Sequence, residues 1–388
     1  MLGLPLALKI VCLQENLNRG LNLVGRAVAA RSPLPVLSNV LLATDGGRLR
    51  LSAMNQQLAI SAWVGVNIES EGATTVPARL LSDFVAQLPA GQVTIELDGE
   101  TDAVTVSASK NRAKINGIDA SEFPPIPQTS AEREVEVDGE VFGAMIDQVV
   151  IAAATDDSRP VLAGVCLALG PDYIELAAAD GYRLAVRRVA MKTGLKEPVQ
   201  ILVPRPAMVE LRRILTDDPG GVWIGLTSSR SEVLFRTLAV SVVSHLIDGQ
   251  FPKYQQLIPA NADTRITAST AEFSHAVRIA SLFARDGSNV IRVTVEPGEG
   301  SPAKIVLTAN AKELGDHRGE IDCESTGPGS QIAFNSKFLA DCLGAITSTR
   351  VALQITGPTS PGLVRPTDSD GADDTSYSHV IMPMHTVR

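Results

Sequence analysis

Side chains that commonly perform catalysis occur in this sequence, but none is spaced as a catalytic motif requires. The five histidines show neither the H-x-x-x-H nor the H-E-x-x-H spacing of a metal-binding helix. There is no G-x-S-x-G turn and no glycine-rich loop that would bind phosphate. Asp156-Asp157 and Asp217-Asp218 could suggest a metal site, but polar helix ends explain both pairs more simply. The sequence therefore favours a protein that is not an enzyme and needs no metal or cofactor.

Arginines seven residues apart are the more informative pattern, because that spacing places two side chains on one face of a helix. Arg19 and Arg26 have this spacing, and Arg278 and Arg285 repeat it. Arg205 and Arg212, with Arg213 beside them, repeat it once more. Each pair alone could be an ordinary solvated helix face. Their recurrence indicates a basic face that binds an anionic partner.

Composition limits the class of protein. The chain has 388 residues, 45% of them hydrophobic and 20% charged, which excludes a disordered or collagen-like protein. Four widely separated cysteines predict free buried thiols in a reducing compartment. No apolar run is long enough to span a membrane and residues 1–11 make a poor signal peptide, so a cytoplasmic location is expected. A net charge of −9 is compatible with nucleic-acid binding only through one basic face.

The sequence repeats itself three times. Residues 34–43 match 159–168, and residues 118–124 match 247–252, at offsets of 125 and 128 residues. A weaker third copy begins at Ser288. So steady a spacing predicts three domains of one fold, at residues 1–131, 132–261 and 262–388.

Each repeat has the same order of elements. A helix with apolar residues at helical spacing comes first, followed by strands, a second helix beginning at a proline such as Pro77 or Pro204, and further strands. This order predicts an α+β domain with two helices packed on antiparallel sheets. The Pro-, Gly- and Asp-rich stretch 356–377 is predicted to be a mobile loop.

Four motifs resemble those of the bacterial sliding clamps, the β subunits of DNA polymerase III. They lie at residues 32–42, 179–186, 248–254 and 380–384, in the order that the family shows. Clamps of this family are head-to-tail homodimers, so the resemblance implies a closed dimeric ring of six similar domains. It also implies a non-catalytic processivity factor that encircles double-stranded DNA. The implied protein partners are the polymerase III α subunit, the clamp loader and other proteins with a clamp-binding motif.

The size of such a ring can be checked independently. Twelve helices at about 9–10 Å between axes trace a circle about 36 Å across. Subtracting about 10 Å for the helices leaves a hole of about 26 Å, which admits a duplex about 20 Å wide. Phosphate contacts from a few arginines would hold the duplex without reading its sequence. The predicted DNA-binding residues are Arg19, Arg26, Arg31, Arg205, Arg212, Arg213, Arg278 and Arg285; Arg31 is included because it matches a DNA-contacting arginine of the family.

The resemblance further implies an apolar pocket that binds a short partner peptide. The matching residues are Leu162, Ala179, Gly181, Tyr182, Arg183, Leu184, Pro252, Gln256, Leu257, Val277, Asn335, Phe338, Pro361, Val380, Ile381, Met382, Pro383 and Met384. Methionines and aliphatic side chains can repack around different peptides at little cost, which suits this role. Alternatively, residues 380–382 could simply be the core of the last strand.

A dimer interface is predicted between the edge strand at 112–118 and the third domain of a second copy. Ile115 should lie near Glu272 and Phe273 of that copy. Basic Lys110, Arg112 and Lys114 should face acidic Glu313, Asp316 and Glu320. Two alternatives remain open: a specialised second clamp copy, and a repeat-built protein-binding module that does not encircle DNA.

Overall fold

The structure is a computed structural model, and it describes residues 8–29, 32–99, 101–127, 134–156, 158–227, 229–285, 289–298, 302–311 and 315–384. These residues form two compact units. The N-terminal unit contains the chain up to Gly143 together with Pro206–Leu246. The C-terminal unit contains Ala144–Arg205 and the chain from Ile247 onward.

Each repeat contributes two α-helices, as the sequence predicts. The helices in the described part of the chain are α1 Gln14–Val24, α2 Ala78–Gln87, α3 Gly139–Val149, α4 Arg205–Asp217, α5 Thr270–Ala284 and α6 Ser336–Gly344. The prediction that the second helices begin at Pro77 and Pro204 is wrong by one residue. Each proline is the last residue of the preceding strand, and the helix starts at the next residue.

Antiparallel strands make up most of the remaining chain. The first repeat has β1 Lys9–Leu13, β2 Asn39–Asp45, β3 Arg48–Met54, β4 Leu58–Gly65, β5 Asn67–Ser70, β6 Ala73–Pro77, β7 Gln92–Leu97, β8 Val104–Ala108 and β9 Asn111–Ile115. The second has β10 Val135–Asp138, β11 Gly164–Gly170, β12 Tyr173–Ala179, β13 Arg183–Ala190, β14 Val199–Pro204, β15 Gly221–Leu226, β16 Glu232–Arg236 and β17 Val240–His245. The third has β18 Thr264–Ser269, β19 Val290–Glu296, β20 Ala303–Ala311, β21 Gly315–Thr326, β22 Ser330–Asn335, β23 Arg350–Ile355, β24 Gly362–Thr367 and β25 Tyr377–Ile381.

The N-terminal unit contains two sheets. One has the strand order β5-β1-β7-β8-β9, and the other has the order β10-β15-β16-β17-β4-β3-β2-β6. Helix α1 packs on β4 and β3 and buries Leu17, Leu21 and Val24. Its apolar residues recur every three or four positions, so one face enters the core while Arg19 stays outside. Full burial of each of these side chains contributes about 2 kcal/mol.

The C-terminal unit is built on one twelve-stranded sheet. Its order is β14-β11-β12-β13-β25-β24-β23-β18-β21-β20-β19-β22. Helix α5 packs on α6, β20 and β21. The central repeat is divided between the two units. Four of its strands join the sheet of the first repeat through the pairing of β17 with β4, and the other four join that of the third repeat through the pairing of β13 with β25.

The prediction of a mobile loop over residues 356–377 is wrong. Strand β24 lies at its centre and pairs with both β23 and β25. The acidic turn that follows is held by side chains: Arg265 donates to Asp373 at 2.7 Å, and Arg187 donates to Asp374 at 2.9 Å. Composition alone missed this strand because turn-forming residues flank it on both sides, and composition does not show its pairing with the neighbouring strands β23 and β25.

Candidate functional site

An apolar cleft of about 510 Å³ lies within the C-terminal unit. The predicted pocket residues that line it are Ala179, Gly181, Arg183, Leu184, Gln256, Leu257, Pro361, Val380 and Met382. Sequence reasoning missed further lining residues from the chain between repeats and from the turn before β24: Pro259, Ala260, Asn261, Thr356 and Ser360. The hydrogen bond from Thr356 Oγ1 to the Asn261 carbonyl joins these two segments. The available signal for residues 259–261 was that they directly follow the predicted pocket residues Gln256 and Leu257 in the sequence.

The turn between β12 and β13 forms one wall of the cleft. Asp180 Oδ1 accepts hydrogen bonds from the backbone N–H groups of Tyr182 and Arg183, at 2.8 and 3.0 Å. Gly181 has a φ of +93°, a conformation that side chains rarely adopt. A Cβ at this position would also lie 2.8 Å from a guanidinium nitrogen of Arg159. The local geometry therefore requires both the aspartate and the glycine.

Arg183 joins this wall to helix α6 through a buried ion-pair network. Its side chain is 9% exposed and contacts Asp180 Oδ2 at 3.0 Å and Asp341 Oδ2 at 2.8 Å. The guanidinium also lies 4.4 Å from the ring centre of Phe338, within cation–π range. The exposed ring of Tyr182 stacks on Phe338 at 6.4 Å between centroids. Arg183 thus holds two elements that are far apart in sequence at a fixed distance.

The cleft presents apolar surface and no unbalanced charge. Among its described lining residues only Arg183 is charged, and two carboxylates neutralise it. Leu257 is 52% exposed and Met382 is 43% exposed, so large apolar side chains remain in contact with water. Such a surface favours an uncharged, aliphatic ligand.

The remaining predicted pocket residues have other positions. Leu162, Val277 and Ile381 are buried in the core, and Pro252 is exposed. Asn335 caps α6 by accepting a hydrogen bond from the Lys337 N–H. Pro383 and Met384 follow β25, where the Met384 N–H donates to the Ala333 carbonyl.

A buried histidine lies on β25, in the strand that supplies Val380 to the cleft. His379 Nδ1 is 3.0 Å from the hydroxyl of Tyr377, which donates to the Gln148 carbonyl. His379 Nε2 has no hydrogen-bond partner among the described residues. Burial, with a smaller contribution from the charge of Arg183, lowers the pKa of His379 to about 3. The imidazole is therefore neutral at physiological pH.

The predicted DNA-binding arginines lie on or next to helices, apart from Arg31, which is outside the described residues. Arg19 on α1 is exposed, as are Arg278 on α5 and Arg285 directly after it. On α4, Arg205 and Arg212 are partly buried, and Arg212 donates to Thr216 at 2.7 Å.

One carboxylate contacts two of these arginines. Glu210 Oε1 lies 2.6 Å from Arg213, and Glu210 Oε2 lies 3.7 Å from Arg26. Sequence reasoning also missed Arg79 and Lys337, which are exposed in the first turns of α2 and α6. Each of the two residues lies directly after the junction between a strand and the second helix of its repeat, and the recurrence of this junction in the sequence was the signal for both. A cation there is disfavoured by the helix dipole, and Arg79 is partly balanced by Asp83, 3.9 Å away on the same helix.

The predicted interface residues divide into buried and exposed groups. Ile115 and Phe273 are buried in their own protomer, so neither side chain is accessible to a partner. Lys110, Arg112 and Lys114 are exposed on or beside β9, and Glu272, Asp316 and Glu320 are exposed in the C-terminal unit. Glu313 lies outside the described residues. Lys114 and Glu320 already form ion pairs within the chain, with Asp98 and Lys304 respectively.

Both of these regions contain an open sheet edge. Strand β9 is the last strand of its sheet, with β8 as its one described partner. Strand β21 pairs with β18 only through residues 324–326, so no described strand covers the other side of residues 315–323.

No helix of the described chain is both long and apolar enough to cross a membrane. Within the same residues, no group of three or more His, Cys, Asp or Glu side chains could hold a metal ion.

Comparison with known proteins identifies the class to which this fold belongs, that of DNA polymerase sliding clamps. The sliding clamp of Bacillus subtilis superposes with a TM-score of 0.90 at 27% identity, covering 98% of this chain and 100% of the other. A Pseudomonas aeruginosa clamp bound to griselimycin gives 0.89 at 27% identity, with the same coverage. The beta sliding clamp of Synechococcus elongatus is 32% identical over 381 residues, covering 97% of this chain and 99% of that protein.

Family models of the DNA polymerase III beta subunit match all three repeats. The N-terminal domain matches residues 8–127, the central domain 136–253 and the C-terminal domain 255–385. The chain belongs to the family of DNA polymerase III beta subunits, the bacterial sliding clamps. The resemblance inferred from the sequence is confirmed, as are three clamp domains with six described helices on antiparallel sheets. The family consists of non-catalytic processivity factors.

Proposed function

We propose that two copies of this chain join head to tail into a closed ring that encircles duplex DNA in the cytoplasm. The observation that carries this proposal is the pair of open sheet edges with opposite charge, one in each unit. Strand β9 presents Arg112 and Lys114, whereas residues 315–323 of β21 present Asp316, Glu320 and Asp322 against one exposed arginine, Arg318, so this edge is acidic on balance. An uncovered strand edge is a template for pairing with another chain. Opposite charges would set the register and orientation of that pairing.

An exposed apolar patch adjoins the acidic edge. Ile279 and Leu282 lie one turn apart on α5 and are 36% and 53% exposed. The neighbouring Phe283 stacks on His317 of β21, with ring centroids 5.4 Å apart. A second copy that pairs with β21 would cover this patch. We therefore place the apolar part of the interface here and not at Ile115 or Phe273.

The helix arginines would line the inside of the ring and contact phosphates. Exposed Arg19, Arg278 and Arg285 support this role, and Arg79 and Lys337 extend it to the second helices. Contacts of this kind carry no sequence information, so the ring could slide. We propose that the boundaries between the three domains of each chain lie near residues 131 and 262.

The apolar cleft would bind short extended peptides of the polymerase III α subunit, the clamp loader and other clamp-binding proteins. Its neutral lining and exposed Leu257 and Met382 support a ligand with uncharged aliphatic side chains. The similar P. aeruginosa clamp binds griselimycin, which supports a ligand site on this kind of protein.

Sedimentation velocity tests the dimer. The wild-type protein should be a dimer, and Leu282→Asp should weaken it at least tenfold, because a charge would replace an apolar contact. Leu238→Asp, at a turn where the leucine is 73% exposed, is the matched control and should leave the dimer intact. A wild-type monomer, or equal dimerisation of Leu282→Asp and wild type, would contradict the interface.

Topology tests the ring. After loading onto nicked circular DNA by a clamp loader, the protein should be released when the circle is linearised. A protein that remains bound to the linear DNA is a surface binder, and that result would refute encirclement.

A further inference from the structure

A second cleft, of about 360 Å³, lies within the first repeat, in the N-terminal unit. Its walls are aliphatic, aromatic or proline side chains, among them Phe123, Pro124 and Ile126. One charged side chain, that of Arg50 on β3, lies among its described lining residues. No residue of this cleft belongs to the DNA, peptide or dimer contacts proposed above, so the cleft requires an explanation of its own.

Arg50 has hydrogen-bonding capacity that the described chain does not use. Its Nε is buried and has no hydrogen-bond partner among the described residues. Its ion-pair partner is Asp45, whose Oδ2 lies 3.7 Å from Arg50 Nη1, beyond hydrogen-bond distance. That same oxygen accepts a hydrogen bond from Trp63 Nε1 at 2.9 Å. Because a buried donor without an acceptor is costly, an anion that reached Arg50 would be stabilised.

Strand register identifies the equivalent place in the second repeat. Ala43 of β2 pairs with Arg50 of β3, as Ala168 of β11 pairs with Glu175 of β12. The second repeat therefore has a carboxylate where the first has a guanidinium. The two places share a backbone arrangement and differ in the hydrogen-bonding character of this side chain.

Two side chains of the second repeat fill its copy of the place. Tyr254 is buried in the same apolar cluster as Cys166, and its hydroxyl donates a hydrogen bond to Glu175. Gln200 extends over the sheet, where its Nε2 donates to Cys166 Sγ at 3.0 Å. A ring whose polar tip meets Glu175 thus completes this copy.

Smaller side chains hold these two positions in the first repeat. Ala73 takes the place of Gln200, because it pairs with β2 in the register in which Gln200 pairs with β11. Ile126 takes the place of Tyr254, since each is the third residue after the phenylalanine of a Phe-Pro pair. Neither replacement has a ring or a polar group that could meet Arg50. The cleft lies where the second repeat has its tyrosine ring and its glutamine amide.

We propose that the cleft at Arg50 is a further docking site, and that it takes an aromatic side chain next to a carboxylate on a partner peptide. Tyr254 shows that a ring fits at this place in the repeated fold. Because Arg50 replaces Glu175, the guest must supply an acceptor, and a carboxylate forms the stronger, charge-assisted pair. The rings of Phe123 and Pro124 offer an apolar wall for the aromatic group. The site does not depend on the function proposed for the cleft in the C-terminal unit.

Methyl NMR of the full-length protein, titrated with the peptide acetyl-Gly-Phe-Glu-Gly-amide, tests the site. The peptide should shift the methyl signals of Leu41 and Ile126 until they saturate. Arg50→Met should raise the Kd at least tenfold, because it removes the charge-assisted donors. Arg48→Met, which removes an exposed arginine from the same strand, is the matched control and should stay within twofold of wild type. Unchanged signals of Leu41 and Ile126, or equal binding by wild type and Arg50→Met, would overturn the site.

A second peptide tests the chemistry of the guest. Acetyl-Gly-Phe-Gln-Gly-amide keeps the ring and removes the charge, so it should bind at least fivefold more weakly. Equal affinities of the two peptides would overturn the requirement for an anion.

The double variant Ala73→Gln, Ile126→Tyr reproduces the side chains of the second repeat and should abolish binding of the acidic peptide. A folded double variant with the wild-type affinity would overturn the placement of the guest in this cleft. If thermal unfolding shows that the double variant is not folded, Ala73→Gln alone is titrated, and the same two outcomes decide.

Discussion

The ion-pair network at Arg183 should stabilise the C-terminal unit far more than a neighbouring pair of the same chemistry. Replacing Arg183 by methionine keeps an unbranched stem but removes the guanidinium, which leaves Asp180 and Asp341 without this counter-charge. Asp180 is only 15% exposed, whereas Asp341 is 33% exposed and can regain water. We therefore expect a loss of about 3 kcal/mol, the lower end of the cost of breaking a buried ion pair.

Arg187→Met on the same strand is the matched control. Arg187 is 22% exposed and its partner Asp374 is 41% exposed, so that pair is close to a surface salt bridge and should cost about 1 kcal/mol. For a unit of this size each kcal/mol lowers the unfolding midpoint by about 2–4 °C. Differential scanning calorimetry should therefore show a fall of about 6–12 °C for Arg183→Met and a clearly smaller fall for Arg187→Met.

A double-mutant cycle with Asp341→Asn separates the pair from the packing of the side chain. The coupling between positions 183 and 341 should exceed about 1 kcal/mol, since the two charges are 2.8 Å apart and largely shielded from water. A midpoint for Arg183→Met no lower than that for Arg187→Met would refute this reasoning, as would additive effects in the cycle.

Two further predictions concern charge. Glu210→Gln should free the guanidinium groups of Arg26 and Arg213 to contact phosphates. The slope of the logarithm of the DNA-binding constant against the logarithm of the salt concentration should then steepen by up to about 1.8 for duplex DNA. An unchanged slope in anisotropy titrations between 50 and 200 mM salt would contradict the role of Glu210. The pKa of His379 is about 3 in the folded state, below the ordinary value of 6.5, so between these two values only the unfolded state binds the extra proton. The free energy of unfolding therefore falls by about 1.4 kcal/mol for each pH unit below about 6.5. Urea unfolding at pH 7 and pH 5 should show that His379→Leu loses about 2 kcal/mol less than wild type over this range, and equal losses for the two proteins would contradict this reasoning.

Much of the fold could be predicted from the sequence because the signals are local. Two helices per repeat follow from apolar residues at helical spacing, and the strands between them follow from alternation. The family resemblance also led to nine of the residues that line the cleft, six of them in the motifs at residues 179–186 and 380–384. The loop prediction for residues 356–377 failed because the pairing of β24 with β23 and β25 is not visible in local composition.

The site residues show where such reasoning ends. Ile115 and Phe273 are predicted to lie in a dimer interface, yet both are buried within the chain itself, while Leu282 on the same helix as Phe273 is exposed. Spacing placed Arg26 and Arg213 on basic faces, but it could not show that both contact Glu210. The Arg213–Glu210 pair is local to α4, but the contact between Arg26 and Glu210 joins residues that lie far apart along the chain.

By itself, the sequence determined a threefold α+β repeat, the places of its helices, and membership of the sliding-clamp family. Those properties depend on periodicity and on motifs, which neighbouring residues define. Only the tertiary structure decided which of the predicted pocket residues meet at the cleft. That outcome depends on the pairing of β12 with β13 and of β13 with β25, which brings together side chains that lie far apart along the chain.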